Sequence, residues 1–317
     1  MTENITTINP LITEIYKHPT ILDLVGNTPL IRLYNIAPDL PDQVALYVKP
    51  EWYNPSGSSK DRPAAKIIRN ALSTGELGTG KALLDSTSGN MGIAYATFGR
   101  ALGIPVHLAV PSNASPRRMK ILQALGAKLT LTDPLEGTDG ARIVAEEMLK
   151  ANPDRYFYAN QYQNPENWKS HYFSTGPEIL SQTKRRVTHF IAGLGTSGTM
   201  MGTGRFLREN IPGVDLVAVQ PDGPLHGLEG LKHMQTSPNP EIYDPEVHDK
   251  TVVVTTEDAH NMARKLAREE GLLVGTSSAA ALSAALQIAH QIEEGLIVTL
   301  LPDSAEKYLD LPYWNNP

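Results

Sequence analysis

Thr188–Glu209 reads THFIAGLGTSGTMMGTGRFLRE. The short apolar run Thr188–Ala192 is followed by a glycine-rich turn and then by a helical pattern from Met200. Such a strand–turn–helix step is the repeating unit of a parallel sheet covered by helices. The turn Gly193–Thr199 (GLGTSGT) satisfies G-x-G-x-x-G through Gly193, Gly195 and Gly198. Two uses of it compete. A dinucleotide site wants an acidic residue at the end of the next strand to hold a ribose. That strand, VDLVAVQPD, ends in Gln220, with Asp222 two places late. A phosphate cup, in which Thr196, Ser197 and Thr199 add hydroxyls to backbone N–H groups, fits better. No Lys-Ser/Thr pair closes the turn, which argues against a nucleoside triphosphate loop.

The same alternation runs outward in both directions. The pattern predicts strands at Val44–Val48, Ala82–Leu84, Val106–Val110, Lys128–Leu131, Leu216–Val219 and Ile297–Leu301. Helices are predicted at Ala64–Ser73, Ile93–Leu102, Pro116–Leu125, Ala141–Lys150, Met200–Glu209, Thr256–Glu270 and Ser278–Glu293. Gly75–Gly80 (GELGTG) reads as a loop between helix and strand. Tyr156–Trp168 (YFYANQYQNPENW) fits neither period, and reads either as a crossing between lobes or as a surface loop. The fold class is therefore α/β with largely parallel sheets.

Composition bounds the rest. The chain has 317 residues, 28 basic against 34 acidic, for a net charge of −6. With 41% hydrophobic and 20% charged residues it is neither disordered nor fibrous. The length suggests two lobes. A pI near 5.9 and the lack of a long basic run argue against nucleic acid and anionic membrane surfaces as partners. No apolar stretch reaches the roughly 18 residues of a membrane span. No secretory signal is visible in MTENITTINPLITEIYKHPT, so a cytoplasmic location is expected. Cysteine is absent, which removes disulfides, thiolate nucleophiles and cysteine metal sites together.

Two further turns carry chemistry. In Asn54–Arg62 (NPSGSSKDR), Ser58 or Ser59 can cap a helix in which Pro63 takes the first position. Lys60 then sits at or just before the helix N-terminus, where the dipole should lower its pKa. A lysine so tuned can form a Schiff base or act as a general base; an ordinary solvated lysine is the other reading. In Asp85–Gly92 (DSTSGNMG), Thr87, Ser88, Gly89 and Asn90 offer donors at a helix start, for an anion or simply as helix caps. His226 and His233 lie seven apart with no further ligand at zinc spacing, so no metal is expected. No G-x-S-x-G marks a serine hydrolase.

A reactive lysine, a carboxylate cradle and a phosphate cup together suit pyridoxal 5′-phosphate, which needs all three when its substrates are amino acids. NPSGSSKDR, TSGNMGIA, GLGTSGTMMGTG and GLLVGTSSAAA, in this order, resemble the cysteine synthase branch of the fold type II pyridoxal-phosphate enzymes. VGNTPLIRL (Val25–Leu33) and STGPEI (Ser174–Ile179) extend the likeness from about Ile21 to Leu309. The resemblance implies a tryptophan synthase β-like fold of two lobes, each with a mostly parallel twisted sheet flanked by helices. It draws a small mobile lobe at 54–164 carrying the substrate-carboxylate loop, and a large lobe from 1–53 and 165–317 carrying the phosphate loop.

It also implies roles. Lys60 would hold the cofactor and act as the catalytic base. Asn90 would face the pyridine 3′-hydroxyl, and Gly195, Thr196, Ser197, Gly198 and Thr199 the phosphate. Ser277 would face the pyridine nitrogen. Thr87, Ser88, Gly89 and Asn90, with Gln161, would grip the substrate carboxylate. A hydroxyl at position 277 keeps the ring a weak electron sink, which suits β-replacement better than racemisation. The implied reaction joins O-acetylserine and sulfide to give cysteine and acetate through an α-aminoacrylate intermediate. Relatives are usually homodimers, and some bind serine acetyltransferase.

The chain departs from the family pattern at four places. Met91 replaces a threonine after the asparagine, Thr276 an isoleucine, and Ala279 and Ala305 glycines. An alanine is strained where glycine had a positive φ, so the backbone there is expected to differ. Rival readings are an O-phosphoserine sulfhydrylase, disfavoured by Asp222, a cystathionine β-synthase, and a serine/threonine dehydratase, disfavoured by Met91-Gly92-Ile93. A β-replacement with another nucleophile is a further alternative, with Met91 in the substrate loop as its cue; an NAD oxidoreductase and a catalytically silent binding protein are more distant.

Overall fold

The computed structural model describes residues 20–315 except Ser88. The apolar runs become strands and the amphipathic stretches helices, in the order expected of α/β layers. In chain order these are β1 (Ile31–Arg32), β2 (Val44–Pro50), α1 (Asp61–Thr74), β3 (Ala82–Ser86), α2 (Asn90–Ala101), β4 (Val106–Pro111), α3 (Pro116–Ala124) and β5 (Lys128–Thr132). There follow α4 (Gly137–Ala151), β6 (Tyr156–Tyr158), α5 (Glu166–Phe173), α6 (Thr175–Gln182), β7 (His189–Gly193) and α7 (Gly198–Asn210). The last are β8 (Asp215–Pro221), β9 (Lys250–Val254), α8 (Thr256–Glu269), α9 (Thr276–Ala289) and β10 (Gly295–Leu301).

Two compact units result. One holds residues 20–25 with Ile68–Ala159; the other holds Gly26–Ile67 with residues 160–315. The smaller unit has a four-stranded sheet of order β5-β4-β3-β6, parallel throughout. Its strand β4 is buried along its whole length, as a continuous apolar run between two helical layers requires. The larger unit has a six-stranded sheet of order β1-β2-β10-β7-β8-β9, parallel except for β1 against β2.

Strand alternation divides the larger unit's core in two. Ile191, Val217, Val219 and Ile297 face α8 and α9, whereas Phe190, Ala192, Leu216, Ala218 and Val298 face Met200, Met201 and Leu207 of α7. Helix α8 buries Ala259, Ala263 and Leu266, one face at helical spacing, and Thr255 caps it by accepting the Asp258 N–H at 3.0 Å. Helix α9 is alanine-rich and buried on nearly every side, so it shows little amphipathic contrast.

Some expectations need correction. Helix α9 stops at Ala289 rather than Glu293, because His290 turns back to the Leu286 carbonyl at 2.8 Å and reaches Asp39 at 3.2 Å. Pro63 is the third residue of α1 rather than the first; its missing N–H is still among those a helix start leaves unused. Tyr156–Trp168 is a crossing segment, since the chain passes from the smaller unit to the larger between Ala159 and Asn160, but it is not one irregular loop. Its head is β6, its tail opens α5, and Asn164 Oδ1 caps that helix through the Glu166 N–H at 3.0 Å. Strands β1, β6 and β9 and helices α5 and α6 were not anticipated.

Glu270, at the C-cap of α8, fixes the loop after β1. Its Oε1 accepts the N–H groups of Tyr34 (2.9 Å), Asn35 (2.6 Å) and Ile36 (2.9 Å). Glu270→Gln should lower unfolding free energy by about 1–2 kcal/mol, because charge-assisted bonds become neutral ones. Urea denaturation checks this; an unchanged midpoint would leave the loop's anchor elsewhere.

Candidate active site

The lysine turn is built by local breaks. Gly57 takes φ +82°, and the Ser59 N–H bonds the Pro302 carbonyl at 2.8 Å. Ser58 Oγ accepts the Lys60 N–H at 3.3 Å, and the Lys60 carbonyl accepts the Ala64 N–H at 3.0 Å as α1 begins. Lys60 therefore stands immediately before the helix. Burial lowers its pKa, with the Asp303 carboxylate pulling the other way. Desolvation, rather than the helix dipole, is thus the principal cause. Asp61 beside it accepts from the Ser56 N–H at 2.6 Å and from the Ser56 hydroxyl, and burial pushes its carboxyl up to about 6.

Behind this turn lies a buried ion cluster. Arg62 holds Glu51 through Nε (2.6 Å) and Nη2 (2.8 Å), and Glu178 through Nη1 (2.7 Å) and Nη2 (2.9 Å). Lys49 reaches Glu178 at 2.7 Å, and Arg62 and Lys49 together hold the Glu178 carboxyl down at about 2.

The glycine turn connects β7 to α7. Ser197 enters α7 with φ +67°, a left-handed conformation rare for a side-chain-bearing residue. A Cβ at Gly195 would overlap the Gly230 carbonyl oxygen, and one at Gly198 would overlap Asn167 Oδ1. The turn thus presents backbone N–H groups at a helix N-terminus in a cradle only glycine permits. Asn167 Nδ2 donates to Thr196 Oγ1 at 3.1 Å and to the Gln161 carbonyl at 2.6 Å, so it joins Gln161 to the turn. Thr199 Oγ1 meets His171 Nε2 at 3.3 Å, while His171 Nδ1 meets Thr175 Oγ1 at 2.9 Å. Burial and the nearby positive charges of Arg62 and Lys60 hold His171 well below the ordinary histidine range, hence neutral.

Ser277 lies buried in the first turn of α9. Opposite it, Gly230 takes φ +89°, and even an added Cβ there would stand 4.0 Å from Ser277 Oγ. Thr276 is fully buried, and its hydroxyl meets no hydrogen-bond partner among the described residues. Ala279 and Ala305 both have negative φ, so neither alanine is strained.

The larger unit therefore contains Lys60, Gln161, Gly195–Thr199 and Ser277; the smaller contains Thr87, Gly89 and Asn90. Ser88 lies outside the described residues. Thr87 Oγ1 accepts the N–H groups of Gly89 (3.2 Å) and Gly92 (3.3 Å), closing the turn that opens α2. Met91 is buried within the unit. Nη1 of the buried Arg118 lies 3.7 Å from where a Gly89 Cβ would stand. His226 and His233 serve local bonds, to the Leu228 N–H (3.1 Å) and Thr236 Oγ1 (2.8 Å). Sequence reading missed Asn167, His171, Arg118 and Asp303, none of which lies in a glycine-marked turn.

These groups fit pyridoxal phosphate: a backbone anion cradle, a desolvated amine and a buried hydroxyl facing a glycine. Gly195→Ala should weaken cofactor binding about 10- to 100-fold, as its Cβ must displace the Gly230 carbonyl. Fluorescence titration of the cofactor-free protein measures this, and an unaltered affinity would place the phosphate elsewhere.

Residues 21–303 match the family described as Pyridoxal-phosphate dependent enzyme. The chain is 52% identical to a cysteine synthase of Aquifex aeolicus, over 92% of this chain and 90% of that one. It is 38% identical to cysteine synthase B of Pseudomonas aeruginosa, over 92% and 96%. Among solved structures it resembles the cysteine synthase of Entamoeba histolytica, with a TM-score of 0.90 and 34% identity, covering 95% of this chain and 91% of that one. The chain belongs to the pyridoxal-phosphate dependent enzymes, in the branch that contains the cysteine synthases.

Proposed function

We propose that the protein makes L-cysteine and acetate from O-acetyl-L-serine and sulfide. The observation that carries this is the 52% identity to a cysteine synthase across nine-tenths of both chains. The cofactor, when bound, supplies the electron sink that lets a Cα proton leave and a β-substituent be exchanged.

The chain's own residues do the rest. Backbone N–H groups of Gly195–Thr199 would hold the phosphate, and the Ser277 hydroxyl would serve the pyridine nitrogen without forcing a proton onto it. Asn90 would hydrogen-bond the 3′-hydroxyl of the ring. Thr87, Ser88, Gly89 and Asn90, with Gln161, hold the substrate carboxylate. Lys60, its amine made less basic by burial, takes the Cα proton and later returns it. The reading extends to a homodimer in the cytoplasm and to serine acetyltransferase as a partner; size-exclusion chromatography with and without that enzyme tests both associations.

The deciding experiment is an absorption spectrum of the purified protein before and after O-acetylserine. A yellow band that moves to longer wavelength, and returns on adding sulfide as cysteine appears, is expected. A yellow protein indifferent to O-acetylserine would keep the cofactor and reject the substrate. A second reading, with another nucleophile in the second half, is prompted by similarity to an O-ureido-L-serine synthase, TM-score 0.87 and 34% identity. The burial of Met91 argues against it, since the altered side chain packs into the unit's interior.

A further inference from the structure

The segment Pro302–Tyr308, PDSAEKY, has no part in the roles above, yet it joins the lysine turn to the head of α9. Toward the lysine turn, Pro302 accepts the Ser59 N–H at 2.8 Å, and Ser58 and Asp303 form an antiparallel bridge. Toward α9, the Asp303 carbonyl accepts the Gly275 N–H at 3.1 Å and the Ser278 hydroxyl at 2.9 Å. The Ala305 N–H bonds the Leu273 carbonyl at 3.1 Å, and Val274 bridges Ser304.

Asp303 occupies the crossing point and is fully buried. Its Oδ2 accepts the Tyr308 hydroxyl at 2.6 Å, and a Cβ on Gly275 would overlap its Oδ1, so the carboxylate fits only because position 275 is glycine. We propose that Asp303 is the positioning residue for Lys60: its charge steadies the amine, while its backbone ties the lysine turn to the helix carrying Ser277.

The chemistry gives this a purpose. A buried amine takes a proton from Cα readily only if it is neutral, but it must then keep that proton as an ammonium until the proton returns to Cα. Burial alone favours the first state and penalises the second. A fixed carboxylate supports the ammonium without donating a proton itself. Among the described residues, the other charged or titratable groups around Lys60 are His171 on α5, which is neutral, and Asp61 and Arg62, which follow it at the start of α1. Around Asp303 they are Tyr308 and Tyr313, with Lys307 four residues on.

The inference rests on Lys60 being the reactive amine, and its test needs neither cofactor nor substrate. Full-length protein freed of cofactor is labelled with acetic anhydride across a pH series, and mass spectrometry follows modification at Lys60. In Asp303→Asn the labelling midpoint should fall by about one pH unit, a roughly tenfold gain in reactive amine at any pH below it. Tyr308→Phe removes the hydroxyl but keeps the charge, and should leave the midpoint in place. Equal displacement in both variants would mean a merely structural role, and no displacement in Asp303→Asn would remove the electrostatic one; either overturns the proposal. If Asp303→Asn does not fold by circular dichroism, Asp303→Ser is read by the same criterion. Failure of cysteine formation would not alter the midpoints, so the two readings fail separately.

Discussion

Lys60→Ala is expected to reduce turnover of O-acetylserine by at least about 10²–10⁴-fold, the range lost with a positioned general base. The loss should exceed that of any other single substitution, because the same amine serves to hold the cofactor and to move the proton. The fold should survive. The two backbone bonds at position 60, to Ser58 Oγ and from Ala64, do not involve the amine. Although its amine is desolvated, the residue as a whole is only half-buried, so its truncation opens no sealed cavity. The variant should still bind pyridoxal phosphate through the glycine turn, but borohydride should no longer fix it to the chain. A variant keeping more than a tenth of the wild-type rate, with the cofactor still reducible onto it, would move the catalytic amine to another lysine.

Arg62→Ala is expected to be the most destabilising single change, by about 3–5 kcal/mol. The guanidinium is buried and shared by two carboxylates, so its removal strands Glu51, which is fully buried, and leaves Glu178 with Lys49. Arg62→Lys should recover only part, since an ammonium cannot form two planar pairs. Chemical denaturation of both variants measures this; a loss under about 1 kcal/mol for Arg62→Ala would show that water or neighbours replace the guanidinium.

The same cluster shapes acid stability. The Glu178 carboxyl titrates at about 2 in the fold against an ordinary 4.5, so its contribution is full above pH 4.5 and is lost as pH falls toward 2. Asp61 works in the opposite sense. Its folded value of about 6 lies above the ordinary 3.8, so the stability it lends is full below pH 3.8 and is lost as pH rises through 6. Glu178→Gln should therefore flatten the fall below pH 4.5 and leave the slope near pH 6 unchanged.

Much of this was legible in the sequence because it rests on local pattern. The parallel strands announced themselves as apolar runs between helices, and the three turns by their glycines, serines and position before a helix. What was missed depends on partners distant in sequence. Helices α5 and α6 carry Asn, Ser, His, Thr, Gly and Pro, poor in intrinsic propensity, and are fixed by packing; a Cβ at Gly202 of α7 would overlap the Trp168 carbonyl of α5. Strand β9 is an edge strand, with only Val254 fully buried. The lowered pKa of Lys60 was anticipated in direction, but its cause, burial, is a property of the folded surroundings that no heptad or turn reveals.

The clasp at Pro302–Asp303 also bears on how the protein is made. Lys60 precedes Asp303 by 243 residues. At roughly 5–20 residues per second of synthesis, the lysine turn leaves the ribosome about 12–50 seconds before the segment that fastens it. During that interval neither the Ser58–Asp303 bridge nor the bond from Ser59 to Pro302 can form, and β2 still lacks its neighbour β10. A nascent chain that has not yet reached Asp303 should therefore be unable to retain pyridoxal phosphate, and capture of the cofactor must wait for that segment.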